Sequence, residues 1–216
     1  MSVRARRTER SADTRDLILA AAERLFAEHG VRAVSDRQVG DAAGQDEVAV
    51  ARQFGTRAGL VRAIVRRHAE HVEQTRLRML TETGRSDDVW DWVACLVRPF
   101  TEHLAALGSP AWYARFSSRV MGDPAMRRAV VDEALDTEHL RRGIDGFNRR
   151  LPALPTAVYL ERSAMTRHLV THTCADRERA LAAGRPTARR TWEDTATGLI
   201  TAVVSLWLAP VTTTEA

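Results

Sequence analysis

Apolar residues recur at intervals of three and four residues along almost the whole chain, and this spacing constrains its fold more than any other feature. Ile18, Ala22 and Leu25 show the pattern near the start, and the stripe Leu140, Ile144, Phe147 and Leu151 continues it in the second half. No segment alternates between apolar and polar residues over the length of a β-strand. The sequence therefore predicts an all-α protein of about nine helices.

Capping residues divide the first part of the chain into four helices. Asp13 or Thr14 is predicted to begin the first helix, and Gly30 to end it. The predicted caps of the next three helices are Ser35, which forms a capping box with Gln38, then Asp46 and Thr56. After a polar loop, five further helices are predicted over residues 87–107, 111–121, 123–151, 156–183 and 187–208.

Composition argues against several classes of protein. The 216 residues include two cysteines, too few for a disulfide scaffold. The most apolar stretch, 196–211, is interrupted by Thr197, Thr201 and Ser205, which argues against a membrane span. No apolar segment of a signal peptide follows the first residues, so we expect a reduced, cytoplasmic protein. Motifs of phosphate loops, serine hydrolases and zinc proteases are missing, so we expect neither an enzyme nor a cofactor.

Residues 35–54 carry the clearest functional pattern, two short helices joined by a tight turn at Gly44 and Gln45. A DNA-binding helix-turn-helix has this shape, although a simple corner between two helices has it too. The residues expected to hold the pair against the first helix are Val39, Ala43, Val48 and Phe54.

Positive charge is concentrated at the start of the chain. The net charge is only +4, and the chain has 32 arginines and no lysine. Arg4, Arg6 and Arg7 stand close together there, with Glu9 as the only acid among the first ten residues. A basic arm of this kind often contacts nucleic acid, and a solvated terminus is the alternative.

The N-terminal motifs together resemble one known family. They are A-x-x-L-F-x-x-x-G at 22–30, the capped helix from Ser35, Ala43-Gly44 at the turn, Phe54-Gly55-Thr56-Arg57, and Leu60. In this order and spacing, residues 10 to about 70 resemble the DNA-binding domain of TetR-family transcriptional regulators. The sequence differs from the family at Gly40, which costs about 1 kcal/mol in helix propensity relative to Ala. It also differs at Gly59, where an acid would complete a capping box, and at the acidic pair Asp46-Glu47.

The resemblance implies roles for residues of the first domain. The third helix would enter the major groove, with Gln45, Val48 and Ala49 facing the bases and Arg52 and Gln53 reaching a base or a phosphate. Thr56 and Arg57 would bind phosphate at the start of the fourth helix. Arg37 would lie near the DNA backbone, and the arm of Arg4, Arg6 and Arg7 would enter the minor groove.

The resemblance also implies that the second half dimerises, and the last predicted helix fits this role. It is apolar over most of its circumference, so it must be buried, either against a second copy or within its own chain. The residues assigned to the dimer interface are Trp192, Ala196, Leu199, Ile200, Val203, Val204, Leu206 and Trp207.

A ligand pocket in the second half is the other implied site. Aromatic, methionine and histidine side chains could line it, or they could simply fill the core. The candidates are His103, Trp112, Phe116, Met121, Met126, His168 and His172. His168 and His172 also have metal-ligand spacing, but Cys174 points away from His172 on a helix, so no metal site is expected.

These expectations divide the chain into a DNA-binding domain at 1–55, including the basic arm, and a regulatory and dimerisation domain at 56–216, with the fourth helix connecting them. The implied function is a repressor that binds a palindromic double-stranded DNA operator as a homodimer. A small apolar or amphipathic effector of unknown identity would release it. The alternative is a helical ligand- or partner-binding protein with weak or lost operator binding, which the acidic pair Asp46-Glu47 favours.

Overall fold

The computed structural model describes residues 3–131 and 137–211, and the side chains of 12–128, 130 and 137–211. Within these ranges the chain forms helices and connecting loops with no strand, so the predicted all-α fold is confirmed. The ten helices are α1 (Val3–His29), α2 (Asp36–Ala43), α3 (Glu47–Phe54), α4 (Arg57–Thr83), α5 (Val89–Leu107), α6 (Tyr113–Gly122), α7 (Pro124–Val131), α8 (Glu138–Asn148), α9 (Thr156–Ala182) and α10 (Trp192–Leu208). Across the described part of the chain, no helix is long and apolar enough to span a membrane.

The predicted caps of α2, α3 and α4 are confirmed. The Ser35 hydroxyl accepts a hydrogen bond from the Gln38 backbone N–H, and the Gln38 side chain accepts one in return. Asp46 Oδ1 accepts from Ala49 N at 2.7 Å, and Thr56 Oγ1 accepts from Gly59 N at 3.0 Å. Each cap satisfies a backbone donor that the helix itself leaves unpaired.

The predicted start of α1 at Asp13 or Thr14 is wrong. The helix begins at Val3 and passes through the basic arm. Residues 3–12 contain neither Gly nor Pro, and their arginines and alanines favour a helix, so nothing ends the helical pattern there.

The single helix predicted over 123–151 is two helices, α7 and α8. Thr137 caps α8 by accepting from Leu140 N at 3.1 Å. The predicted inner stripe is only partly correct, because Ile144 is exposed while Gly143 and Gly146 are buried. A Cβ on Gly146 would lie 1.9 Å from Cζ3 of Trp92, so α8 approaches α5 through its glycines rather than through a row of larger side chains.

Helix α10 begins at Trp192, later than the predicted residue 187. Thr191 and Asp194 form its capping box. The Arg177 guanidinium donates to Thr187 Oγ1 and to the carbonyl oxygens of Arg189 and Arg190, at 2.5 to 3.0 Å. These bonds hold residues 187–190 as a loop rather than as the first turn of α10.

Two packed regions share α4. In the N-terminal region, Phe26, Val39, Val50 and Leu60 are almost fully buried where α1–α4 meet. In the C-terminal half, α5 contacts α4, α8 and α10, while α6 contacts both α1 and α9. Because α4 and α6 each touch both regions, they determine how the N-terminal helices are attached.

Candidate nucleic-acid interface

The turn between α2 and α3 is built around two glycines. Gly44 has φ 64°, a left-handed conformation that glycine adopts at little cost. A Cβ on Gly40 would lie 2.9 Å from the carbonyl oxygen of Gln45. We expected Gly40 to be only a weak point of α2, but its missing side chain allows the turn to pass close to the helix.

Helix α3 presents one face to the domain and the other to solvent. Ala49 and Val50 are buried, at 6% and 2% exposure, whereas Val48 is 70% exposed. Glu47, Ala51 and Arg52 are also exposed. We call Glu47, Val48, Ala51 and Arg52 the exposed face of α3.

This division corrects two predictions. Val48 does not hold α3 against α1, because its side chain points to solvent and Val50 takes that role. Ala49 does not face outward, because it lies one residue further around the helix and packs inward. Val39 and Ala43 are buried as predicted, and Phe54 packs against the same core while half-buried.

The turn between α3 and α4 is equally compact. Gly55 has φ 69°, and Thr56 caps α4 with an exposed side chain. A Cβ on Gly59 would lie 2.2 Å from the carbonyl oxygen of Phe54. The acid that would complete a capping box therefore has no room at this position, and the glycine is required by packing.

Arg57 is oriented by two contacts within the N-terminal region. Its Nη2 lies 2.9 Å from Asp36 Oδ1, and its guanidinium lies 5.2 Å from the centroid of the Phe26 ring. Only 26% of the side chain is exposed. The ion pair fixes α2 against the start of α4. Arg37 is 81% exposed, with Asp41 3.9 Å away.

The remaining predicted DNA contacts are placed as follows. Gln45 and Gln53 are half-buried. The side chains of Arg4, Arg6 and Arg7 lie outside the described side chains. The sequence did not single out Arg15, whose guanidinium lies 4.6 Å from the Phe54 ring centroid and donates to Gln53 O at 3.5 Å. Nothing in the sequence around Arg15 indicates this contact, because it joins residues 38 positions apart.

A buried polar chain attaches α1 to the C-terminal half. Glu23 Oε2 lies 3.0 Å from His68 Nε2, and His68 Nδ1 lies 2.8 Å from His103 Nε2. The Tyr113 ring stacks on His68 with centroids 3.8 Å apart. Burial, helped by the neighbouring His68 and His71, lowers the pKa of His103 to about 4. At neutral pH His103 is therefore uncharged within this chain of hydrogen bonds.

The seven pocket candidates do not share any one of four clefts that the described residues form. Among them, only His172 lines any of four clefts formed by the described residues. Phe116 is fully buried between Phe26 and Tyr113, with ring centroids 6.4 and 6.1 Å away, and His103 belongs to the buried polar chain. Trp112, Met121 and Met126 are half-buried, and His168 is exposed. Phe116 and His103 are thus core residues.

Most residues assigned to the dimer interface are buried within their own chain. Ala196, Leu199, Ile200, Val203 and Trp207 are at most 4% exposed. They face α5 and α9, because α10 packs between these helices. Trp192, Val204 and Leu206 are half-buried. The apolar stripe of α10 therefore faces the chain's own core, the alternative that the sequence left open.

The fold and the exposed face of α3 define an all-α helix-turn-helix protein of the DNA-binding regulator class. Residues 18–64 match the family model described as bacterial regulatory proteins, tetR family. The resemblance to TetR-family regulators that the sequence predicts for this part of the chain is confirmed.

Solved structures share the fold along nearly the whole chain. One is a TetR family transcription regulator from Marinobacter aquaeolei VT8, 14% identical, with 93% of this chain and 96% of that chain covered and a TM-score of 0.56. Another is the TetR family transcriptional regulator PfmR from Thermus thermophilus, 14% identical, with 92% and 98% covered and a TM-score of 0.50. At these identities the likeness shows the fold. A comparison with curated proteins found no match.

Proposed function

We propose that this protein is a transcriptional repressor that binds a palindromic DNA operator as a homodimer. The observation that carries the proposal is the exposed face of α3, on a helix fixed by buried Ala49 and Val50 and by caps at both ends. The major groove of B-DNA, about 12 Å wide, accepts a helix presented in this way.

Several side chains of the interface have a chemical partner on DNA. Exposed Val48 suits the methyl group of thymine, and Arg52 suits the acceptor pair of guanine or a phosphate. Thr56, Arg57 and the backbone N–H groups at the start of α4 suit a phosphate, with Arg37 beside the DNA backbone. Gln45 and Gln53 border this surface, and the arm of Arg4, Arg6 and Arg7 is proposed for the minor groove.

A second copy is proposed to cover the outward face of α9 and α10. Leu160, Met165 and Leu208 are exposed there at 62%, 45% and 47%. Arg162 and Trp207 join the first half of α9 to the end of α10, so these apolar residues lie on the same end of the helix pair. Large exposed apolar side chains on adjacent helices are typical of an association surface.

Dimerisation has a direct test in the matched substitutions Met165→Glu and Ile144→Glu. Ile144 is 36% exposed on α8, a helix that is not part of the proposed face. Analytical ultracentrifugation should show a dimer that Met165→Glu dissociates and Ile144→Glu leaves intact. A wild-type monomer, or equal effects of the two substitutions, would contradict this surface.

Release by a small apolar or amphipathic effector in the C-terminal half completes the proposal. An effector acts as an inducer when it binds more tightly to the conformation that does not bind DNA. We also propose that residues 1–55 bind DNA and that residues 56–216 form the regulatory domain, with α4 connecting the two.

The first experiment is fluorescence anisotropy with the DNA upstream of the protein's own gene, across a salt series and with scrambled DNA as control. We expect tight, selective binding that Arg52→Ala weakens by about tenfold or more, because a bidentate contact to guanine is worth about 1–3 kcal/mol. The matched control is Arg142→Ala on exposed α8. Equal affinity for scrambled DNA would contradict selective recognition of this upstream DNA.

The second candidate function is a helical ligand- or partner-binding protein with weak operator binding. Exposed Glu47 beside phosphate-binding positions and the Arg57–Asp36 ion pair favour it. Selection from random oligonucleotides separates the two candidates. An enriched palindrome supports the repressor, whereas no enrichment supports the second candidate.

A further inference from the structure

A cleft of about 720 Å³ lies between the N-terminal region and the C-terminal half. One wall is the turn at residues 29–33, and the other is formed by α6, the start of α7 and α9. This volume is within the range of about 300–1,000 Å³ that is typical of small-molecule sites. A ligand in this cleft would touch both parts of the chain.

Arginines are the most frequent charged residues in the lining of the cleft. Arg32, Arg115, Arg119 and Arg179 all line the cleft, while Asp123 is the one carboxylate among its described lining residues. Arg119 donates to the carbonyl oxygen of Glu28 at 3.4 Å, a neutral acceptor that leaves its charge uncompensated.

Two of the other arginines are already oriented by the protein. Arg115 is only 10% exposed, and its Nε donates to Glu178 Oε2 at 3.0 Å. Arg179 is 51% exposed and lies 2.5 Å from Asp176. Glu178 therefore neutralises Arg115 at the base of the cleft, whereas Arg179 is accessible to solvent and can turn from Asp176 toward another anion.

Arg32 and Asp123 form an ion pair across the cleft. Arg32 Nε and Nη2 donate to the two carboxylate oxygens at 2.5 and 2.9 Å. Hydrogen bonding from Arg32 lowers the pKa of Asp123 to about 2, so the carboxylate stays charged at neutral pH. Arg32 is 73% exposed, so it can turn toward another anion.

We propose that this cleft binds a small organic anion bearing carboxylate or phosphate groups, held by Arg119, Arg179 and Arg32. An entering anion competes with Asp123 for Arg32. Guanidinium groups bind both anions through paired hydrogen bonds.

Isothermal titration calorimetry of the full-length protein with citrate and, separately, with pyrophosphate tests the site. We expect binding that Arg119→Gln weakens about tenfold, since one charge-assisted contact is worth roughly a tenfold change in affinity. Arg179→Gln should weaken it as well. Asp123→Asn should tighten binding severalfold, because the amide still accepts the cap bonds from α7 while the competing charge is lost.

Arg142→Gln, an exposed arginine on α8 outside the cleft, is the matched control and should leave binding unchanged. Circular dichroism checks that each variant is folded. Binding of citrate alone identifies a carboxylate ligand, and binding of pyrophosphate alone identifies a phosphate ligand. The proposal is overturned if neither anion binds, if Arg142→Gln weakens binding as much as Arg119→Gln, or if Asp123→Asn weakens it.

Discussion

Different kinds of contact stand out within the N-terminal region and within the C-terminal half. In the N-terminal region, the turns between α1, α2, α3 and α4 are shaped locally: Ser35, Asp46 and Thr56 each cap the helix that follows, and Gly40 and Gly59 allow close backbone approach. All of these contacts join residues fewer than about ten positions apart, which is the range over which caps and turns act.

In the C-terminal half, buried arginines reach distant backbone oxygens. Arg162 donates to the carbonyl oxygens of Trp207 and Ala209, both at 2.7 Å, and Arg76 donates to Cys95 O at 2.6 Å. Arg177 holds the loop before α10 in the same way. The comparison shows that one all-α chain can shape tight turns through caps and glycines in one region and tie distant helices and loops together through buried arginines in another.

The largest expected effect is at a glycine of the N-terminal region. Gly59→Ala should lower the free energy of unfolding by about 3 kcal/mol, because a Cβ would collide with the Phe54 carbonyl, which the helix cannot move cheaply. Urea unfolding followed by circular dichroism measures it. Gly122→Ala is the matched control, since a Cβ there meets nothing within 4 Å. Equal behaviour of the two variants would remove the packing argument.

A somewhat smaller loss is expected from a buried arginine of the C-terminal half. Arg162→Met keeps much of the side-chain volume but removes the donors to Trp207 O and Ala209 O, so unfolding should become easier by about 2 kcal/mol. The same urea titration applies, with exposed Arg142→Met as the control. If both substitutions have the same effect, the long-range contacts do not stabilise this half.

The polar chain between the two regions should make stability depend on pH. The pKa of His103 is about 4 in the folded protein and 6.5 in the reference state, so the unfolded chain binds more protons between these values. Stability from this group is complete above pH 6.5 and is lost as pH falls toward 4.

Thermal unfolding from neutral to acidic pH measures this loss. His103→Gln should show a smaller decrease in midpoint than the wild type, because glutamine does not titrate. His29→Gln, with a side chain 58% exposed, is the control and should follow the wild type. A wild-type slope that persists in His103→Gln would place the acid sensitivity elsewhere.

The smallest effect is expected at the exposed face of α3. Val48→Ala should change the free energy of unfolding by less than about 0.5 kcal/mol, whereas Val50→Ala should lower it by more than about 1 kcal/mol, roughly the value of two buried methyl groups. Urea unfolding of both variants compares the two sides of one helix. A similar loss for both would show that the exposed face also contributes to packing.

Local signals account for what could be predicted from the sequence. A cap requires two residues three positions apart, so Ser35 with Gln38 and the caps at Asp46 and Thr56 could be recognised directly. The pair Thr191 and Asp194 carried the same kind of signal at the start of α10, and we placed that start too early because Thr187 follows a proline and resembles a cap.

The remaining features depend on distant partners. By helix propensity alone, Gly40 and Gly59 are unfavourable residues in their helices. Helix propensity does not take into account the backbone atoms that lie close to each glycine. The apolar stripe of α10 indicated burial correctly but did not indicate the partner, which is α5 and α9 of the same chain. Ala49 and Val48 are neighbours in sequence, and only the register of α3 shows which of them is exposed.

The length of helix α4 determines how far its N-terminal end moves when the helix tilts. Its 27 residues form one continuous helix about 40 Å long, at 1.5 Å per residue. One end is capped beside α3, and the other, at Leu80, is buried in the C-terminal half. If α4 pivots as a rigid rod at that buried end, a tilt of about 10° displaces Thr56 by about 6 Å. A small rearrangement in the C-terminal half is therefore sufficient to move the start of α4 by more than the rise of one helical turn.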